Sequence, residues 1–257
     1  MKTSFATYPS LKNRGVFITG GTTGIGASLV EHFCQQGARV AFVGRNQTAA
    51  STLIQNIQSA GHTPPLFLPC DLKKIKEIQS AIKYACQKLE DIRVLINNAA
   101  DDTRHNTAEV TESFWNESCD INLRHQFFTA QALIPQMITN GGGSIINFSS
   151  NCFLLSRMSV YPCYSTFKAG IIGLTRALAC EFGMHRIRVN CILPGWVMTE
   201  RQIEKWLTPE AEKELLQEQA LKQKIYPEDV ARMALFLAAD DSALITKQSF
   251  IVDGGRV

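Results

Sequence analysis

Tyr164 and Lys168 stand four residues apart in Tyr164-Ser165-Thr166-Phe167-Lys168. On a helix, that spacing puts a phenol and an ammonium on one face, one turn apart. The chemistry open to such a pair is proton transfer. A free tyrosine has a pKa of about 10 and is a poor base near neutrality. Bringing it into the working range takes about 3–4 kcal/mol. A cation about 4 Å away, at an effective dielectric of about 20, supplies about 4 kcal/mol. One lysine is therefore about enough, although the spacing alone is a weak signal. The competing reading is an aromatic ring packed on a lysine stem. Tyr161 is an internal control: Ser165, not a cation, follows it at the same spacing.

A second constellation is Thr19-Gly20-Gly21-Thr22-Thr23-Gly24-Ile25-Gly26. Gly20 permits a tight turn, Gly24 lets backbone approach a diphosphate, and Gly26 lets a new helix pack closely. The helix start then offers amide donors and a positive dipole end to an anion. The next strand ends at Gly44-Arg45. An acidic residue there would hold an adenosine ribose and favour NAD. A guanidinium instead suits a 2′-phosphate. At about 1.5–3 kcal/mol per charged hydrogen bond, that is about a 10- to 100-fold preference. NADP(H) is the expected cofactor and NAD(H) the alternative; an arginine merely solvated at a strand end is the competing view of Arg45. Asp71 is either an acceptor for an adenine amino group or the N-cap of the following helix.

These groups need a scaffold. Short apolar runs at Gly15–Thr19, Arg39–Val43, Pro65–Cys70, Val94–Asn97, Ser144–Phe148, Arg188–Leu193 and Ser249–Val252 read as strands. Helical patterns fall at Gly24–Gln36, Thr48–Ala60, Ile75–Leu89, Glu112–Thr139, Tyr164–Phe182 and Glu228–Ala239. Continuous rather than alternating apolar runs suit a parallel sheet covered on both faces. The alternation predicts a single α/β domain over residues 1–257, a Rossmann-like doubly wound sheet of seven parallel strands flanked by helices. Residues 199–224 interrupt it with polar helical sequence and read as a substrate lid beside the carboxyl ends of the strands.

The 257 residues suffice for one large core, and 45% hydrophobic with 19% charged residues is ordinary for a globular protein. The net charge of +3 is unclustered, which argues against nucleic acid as a partner. Eight scattered cysteines without a C-x-x-C point to free thiols and a reducing cytoplasm. The five histidines show no ligand spacing, so no metal is expected. No signal peptide or membrane-spanning run is visible.

Together these segments resemble the short-chain dehydrogenase/reductase family over nearly the whole chain. The resemblance rests on residues 19–26, Asp71, Asn97-Asn98-Ala99-Ala100, Asn122 in D-I-N-L, Ser149-Ser150, Tyr164 to Lys168, I-R-V-N (187–190) and P-G-W-V-M-T (194–199). It implies that Ser150 orients the substrate oxygen, Tyr164 exchanges the proton, Lys168 lowers the tyrosine pKa and holds the nicotinamide ribose, and Asn122 anchors a relay water. It implies a structural role for Asn97. It implies cofactor contacts from Gly20, Thr22, Thr23, Gly24, Ile25, Gly26, Arg45, Asp71, Leu72, Asn98, Ala99, Tyr164, Lys168, Pro194, Gly195, Val197 and Thr199. The chain departs from the family's N-N-A-G at Ala100. Ser149 and Ser150 compete for one role; side chains alternate on a strand, and Ser150 is favoured.

A narrower resemblance, carried by D-D-T-R-H-N (101–106), I-N-L-R-H (121–125), T-E-R-Q (199–202) and K-W-L-T-P-E (205–210), is to bacterial aldose 1-dehydrogenases, which oxidise a sugar to a lactone. It implies a sugar substrate and a homotetramer. Arg104, His105, Asn151, Trp196 and Gln202 are the candidate sugar contacts, Trp196 by stacking; surface pairing or loop packing would explain each equally. The rivals are an NADPH-dependent reductase of a 3-oxoacyl thioester or other ketone, and a nucleotide-binding protein without turnover.

Overall fold

The computed structural model describes residues 5–155 and 161–257. One sheet of seven parallel strands runs through the molecule in the order β3-β2-β1-β4-β5-β6-β7. The strands are β1 (Gly15–Thr19), β2 (Arg39–Gly44), β3 (Leu66–Pro69), β4 (Ile92–Asn97), β5 (Gly143–Phe148), β6 (Ile187–Pro194) and β7 (Ser249–Val252). Every residue of β1 is buried, whereas β3 and β7 at the two edges are half-exposed. Central strands are covered on both faces, which is why their sequences run apolar without alternation.

The helices are α1 (Gly24–Gln35), α2 (Gln47–Ser59), α3 (Ile75–Leu89), α4 (Glu112–Cys119), α5 (His125–Thr139), α6 (Pro162–Phe182), α7 (Glu200–Trp206), α8 (Pro209–Glu218) and α9 (Pro227–Ala238). One apolar core lies between the sheet and α1, α2 and α9, with Phe33 and Phe42 fully buried in it. The other lies under α3, α5 and α6, around Phe17, Leu95 and Leu133. Each such side chain contributes about 1.5–3 kcal/mol over leaving it in water. The cores lock the sheet from both sides and leave its carboxyl edge to the loops.

The segment expected as one helix over Glu112–Thr139 is broken by a π turn at Asp120–Arg124. The His125 amide bonds the Asp120 carbonyl five residues back, so the turn is wider than α. The widening carries Asn122 inward: its Oδ1 accepts from the Asp101 amide at 3.0 Å and its Nδ2 donates to the Asp101 carbonyl at 3.0 Å. Hydrophobic periodicity registers a helix but not one extra residue in a turn.

The connection order reverses between β1 and β4. In an open α/β sheet the crevice forms there, beyond the carboxyl ends. The loop after β1, residues 98–102 after β4 and α7 meet at this point and enclose the site.

Candidate active site

A groove of about 750 Å³ opens over the carboxyl ends of β1, β2 and β4. Its floor is the glycine-rich loop. Gly20 and Gly24 have φ of 67° and 56°, the left-handed region that side chains avoid. A Cβ on Gly26 would lie 1.9 Å from the Gly20 carbonyl oxygen, so only glycine closes this turn. Asn98 holds the loop by donating from Nδ2 to the Thr19 and Gly20 carbonyls at 3.1 and 3.2 Å. Thr19 Oγ1 accepts from the Asn98 and Ala99 amides at 3.0 and 3.2 Å. The cap residue Thr23 makes no side-chain capping bond and the first turn of α1 holds no acidic residue, which leaves its amides directed at the groove. These features fit a dinucleotide diphosphate.

Thr22, Thr23, Ile25, Arg45, Asp71, Leu72, Ala99 and Thr199 also line the groove. A Cβ on Gly44 would meet the Thr22 methyl at 2.6 Å, so an acidic side chain has no room beside the neighbouring Arg45. Asp71 does not cap α3, since the cap position is Lys74; its Oδ1 accepts from the Lys73 amide at 3.1 Å within the preceding turn.

A smaller cavity of about 270 Å³ adjoins the groove. Ser150, Tyr164 and Lys168 line it together, with Pro194, Gly195, Trp196, Val197 and Thr199 on the opposite side. Ser149 also borders the cavity, but its hydroxyl is spent on the Lys168 carbonyl at 2.6 Å. Ser150 faces the cavity and hydrogen-bonds Tyr164. The alternation of side chains thus separates the two serines. Lys168 is 1% exposed; its Nζ donates to the Phe148 carbonyl at 2.8 Å and lies 5.4 Å from the Tyr164 ring centre. Burial brings its pKa down to about 8.

The expected lowering of the Tyr164 pKa by Lys168 is not what the protein alone produces. Burial drives the phenol well above its ordinary range, Cys152 and Asp102 add to the rise, and the Ser150 hydroxyl opposes it. Part of the Tyr164 surface still reaches the cavity, but its surroundings are dense protein, and the direction is set by that packing. The balance supposed one cation in a medium of intermediate dielectric; the site adds a desolvation cost to the phenolate and a nearby carboxylate.

Asn97 sits behind the site in a buried network. Its Oδ1 accepts from Thr129 at 2.6 Å and its Nδ2 donates to Asn147 at 3.0 Å. Asn122 spends its side chain on Asp101, so a relay water would have to use its backbone. Next to it, His125 is fully buried, with its ring toward the backbone of Asp120 and Ile121.

The proposed sugar contacts divide. Arg104, Asn151, Trp196 and Gln202 line the cavity; His105 does not. His105 donates from Nδ1 to the Thr103 carbonyl at 2.9 Å and accepts at Nε2 from the Cys163 amide at 3.2 Å, pinning the start of α6. Asn151 is 3% exposed, and its Nδ2 donates to Asp253 at 2.9 Å, so it holds the C-terminal segment. Trp196 Nε1 donates to Gln202 at 2.8 Å, and the Arg104 guanidinium stacks 3.6 Å from the Trp206 ring centre. Sequence reasoning missed three wall residues. Tyr161 meets Tyr164 edge-on at 5.7 Å between ring centres. Arg256 reaches in from the C-terminus and bonds Glu218 at 2.7 Å. Asp102 lines both cavities. Only Asp102 carried a signal, as a carboxylate just beyond the strand that ends in Asn97.

A family model described as enoyl-(acyl carrier protein) reductase matches residues 20–256. The chain is 48% identical over 248 residues to "Probable galactose dehydrogenase GalD" of Rhizobium meliloti strain 1021, covering 96% of each chain. It belongs to the short-chain dehydrogenase/reductase family. A D-xylose 1-dehydrogenase of Caulobacter vibrioides is 44% identical over 252 residues, 98% of this chain and 99% of that one. A solved short-chain dehydrogenase/reductase from Serratia marcescens superposes with a TM-score of 0.89 at 28% identity, covering 96% and 99% of the two chains. The chain is thus a nicotinamide-dependent oxidoreductase in its family, and the glycine cradle is where that cofactor fits. All eight cysteines are free. No helix among the described residues is long and apolar enough to cross a membrane.

Proposed function

We propose that the protein oxidises an aldose at C1 to its lactone, with NADP⁺ as the preferred acceptor. The observation that carries this reading is the cavity beside Tyr164, whose walls hold Gln202, Asp102 and Arg104 together with Trp196. Polar groups converging among apolar walls suit a polyol better than an acyl chain. The galactose and xylose dehydrogenases named above support the same substrate class.

A nicotinamide dinucleotide held in the groove would supply the acceptor or donor of hydride. Ser150 donates to the reacting oxygen. Tyr164 takes the hydroxyl proton in oxidation and returns it in reduction. Lys168 places its ammonium 5.4 Å from the centre of the phenol ring, on the wall of the same cavity. Thr22, Thr23 and the first amides of α1 would hold the diphosphate, Arg45 would pair with a 2′-phosphate, and Asn98 and Thr199 would keep the loop and lid against the cofactor. Residues 199–224, with α7 and α8, serve as the lid. Because burial favours the protonated phenol, oxidation should climb with pH while reduction stays flat through neutrality. Trp115, Phe127 and Ile138 on α4 and α5, and Ile251 on the edge strand β7, are exposed apolar side chains suited to subunit contacts in a tetramer.

The experiment is turnover of a panel of aldoses with NADP⁺ and NAD⁺, and of ketones and 3-oxoacyl thioesters with NADPH. Aldose oxidation with NADP⁺ ahead of NAD⁺ is expected, and Arg45→Asp should cut that preference about 10- to 100-fold. Turnover of thioesters alone would replace the sugar reading with a reductase of 3-oxoacyl thioesters.

A further inference from the structure

Asp102 forms the partition between groove and substrate cavity, lining both. It ties together segments about a hundred residues apart. Its Oδ2 accepts from Gln202 Nε2 at 2.7 Å, and Gln202 Oε1 accepts from Trp196 Nε1 at 2.8 Å. Its Oδ1 pairs with Arg201 at 3.0 Å, and Arg201 reaches Asp101 at 3.5 Å. Two residues on, Arg104 stacks on Trp206 at the far end of α7. Residues 101–104 therefore grip α7 at both its first and last turns. The start of α7 in turn roofs the groove: a methyl on Gly24 would come within 3.1 Å of Thr199 Cγ2. The seat of α7 sets both the roof over the dinucleotide and one wall of the substrate cavity.

The grip is built to exchange partners. The Asp102 and Arg201 side chains are 29% and 44% exposed, and ion pairs this wet hold weakly. Each Asp102 oxygen holds one donor and can accept another. The spare capacity faces the cavity that contains Tyr164 and Ser150. A carboxylate there accepts hydroxyl donors, which a polyol supplies and a thioester chain does not.

We propose that Asp102 is a specificity-determining residue. Its carboxylate accepts a substrate hydroxyl remote from the reacting carbon and, through Gln202 and Arg201, ties that contact to the seating of α7 over the dinucleotide. The inference rests on the sugar reading above and goes beyond it in naming the coupling between the two sites.

The test is a cycle of Asp102→Asn against monodeoxy analogues of the best aldose. On the parent sugar, kcat/KM should fall about 10- to 100-fold. On the analogue lacking the contacted hydroxyl, the variant and the wild type should be nearly equal. A non-reactive anhydro analogue, lacking the anomeric hydroxyl, should tighten binding of the fluorescent reduced cofactor to the wild type but not to Asp102→Asn. If Asp102→Asn loses the same factor on the parent and on every deoxy analogue, the residue is merely structural and the inference fails. It fails too if the parent sugar is turned over within about twofold of wild type, against the charged-bond effect expected. Should Asp102→Asn not fold, Gln202→Leu combined with Arg201→Leu cuts both links while keeping the carboxylate: the anhydro analogue must lose its effect on the cofactor, and retention overturns the coupling. A wild-type protein that oxidises no aldose sinks the sugar reading itself, an outcome distinct from an active enzyme indifferent to Asp102.

Discussion

The large groove and the smaller cavity share a wall, yet they are specified in different ways. The groove is set by backbone. Gly20, Gly24, Gly26 and Gly44 occupy places where a Cβ has a forbidden φ or no room, and the partners of each lie in short loops at one edge of the sheet. The cavity is set by side-chain pairings between distant segments: Asp102 with Gln202, Asn151 with Asp253, Arg256 with Glu218. A site of the first kind tolerates almost no change at a few positions. One of the second kind can be re-tuned by exchanging pairs, so a single fold can keep its cofactor and change its substrate.

The comparison breaks hardest at the shared wall. Tyr164→Phe should lower kcat about 10²- to 10⁴-fold in both directions with the cofactor Kd nearly unchanged, since only the proton route is lost. Near-normal turnover in that variant would remove Tyr164 from the chemistry. Gly44→Asp should act on the groove alone. The new side chain meets Thr22, and cofactor affinity should fall at least tenfold, about 1.4 kcal/mol, while the thermal midpoint shifts little. A variant that binds the dinucleotide as the wild type does would show that Thr22 gives way.

Asn151→Ala should do the reverse. Asp253 keeps three backbone amide donors, from Gly255, Arg256 and Val257, but loses its buried side-chain partner. At about 1.5–3 kcal/mol for a bond to a charged group, the C-terminal wall should loosen and the sugar KM should rise. Cofactor affinity measured by titration should hold; a parallel loss there would mean the two regions are not separable.

The smallest effect sharpens the view of the shared helix wall. Burial, with the Lys168 charge adding to it, holds His125 down to about 3, against 6.5 ordinarily. Between those values the unfolded chain binds the extra proton and the folded one does not. Stability is therefore fully present above 6.5 and is lost as pH falls toward 3, by at most about 1.4 kcal/mol per pH unit. Urea midpoints at pH 7 and pH 5 should diverge less in His125→Phe than in the wild type. Equal divergence would assign the loss to other groups.

Much of this was legible beforehand. The strand runs fell within a few residues of β1 to β7 because buried central strands must be apolar throughout, and the glycine spacing announced the groove because only glycine meets its steric demand. The spacing of Tyr164 and Lys168 placed both on one wall. The sign of the tyrosine shift was not legible. It depends on how much water the packing removes and on Asp102, whose place beside Tyr164 follows from the path of a loop.

His105 and Asn151 show the same limit. Both are polar and both were candidate sugar contacts, yet one ties down α6 and the other the C-terminal segment. Residue type determines what a side chain can bond. The sequence by itself determined the layered architecture, the glycine turn and the placing of Tyr164 and Lys168 on one helix face, because these follow from local periodicity, steric exclusion and helix spacing. Tertiary structure alone decided the substrate wall and the electrostatic balance at Tyr164, because hydrogen bonds across a hundred residues and the loss of solvent arise only when the chain is folded.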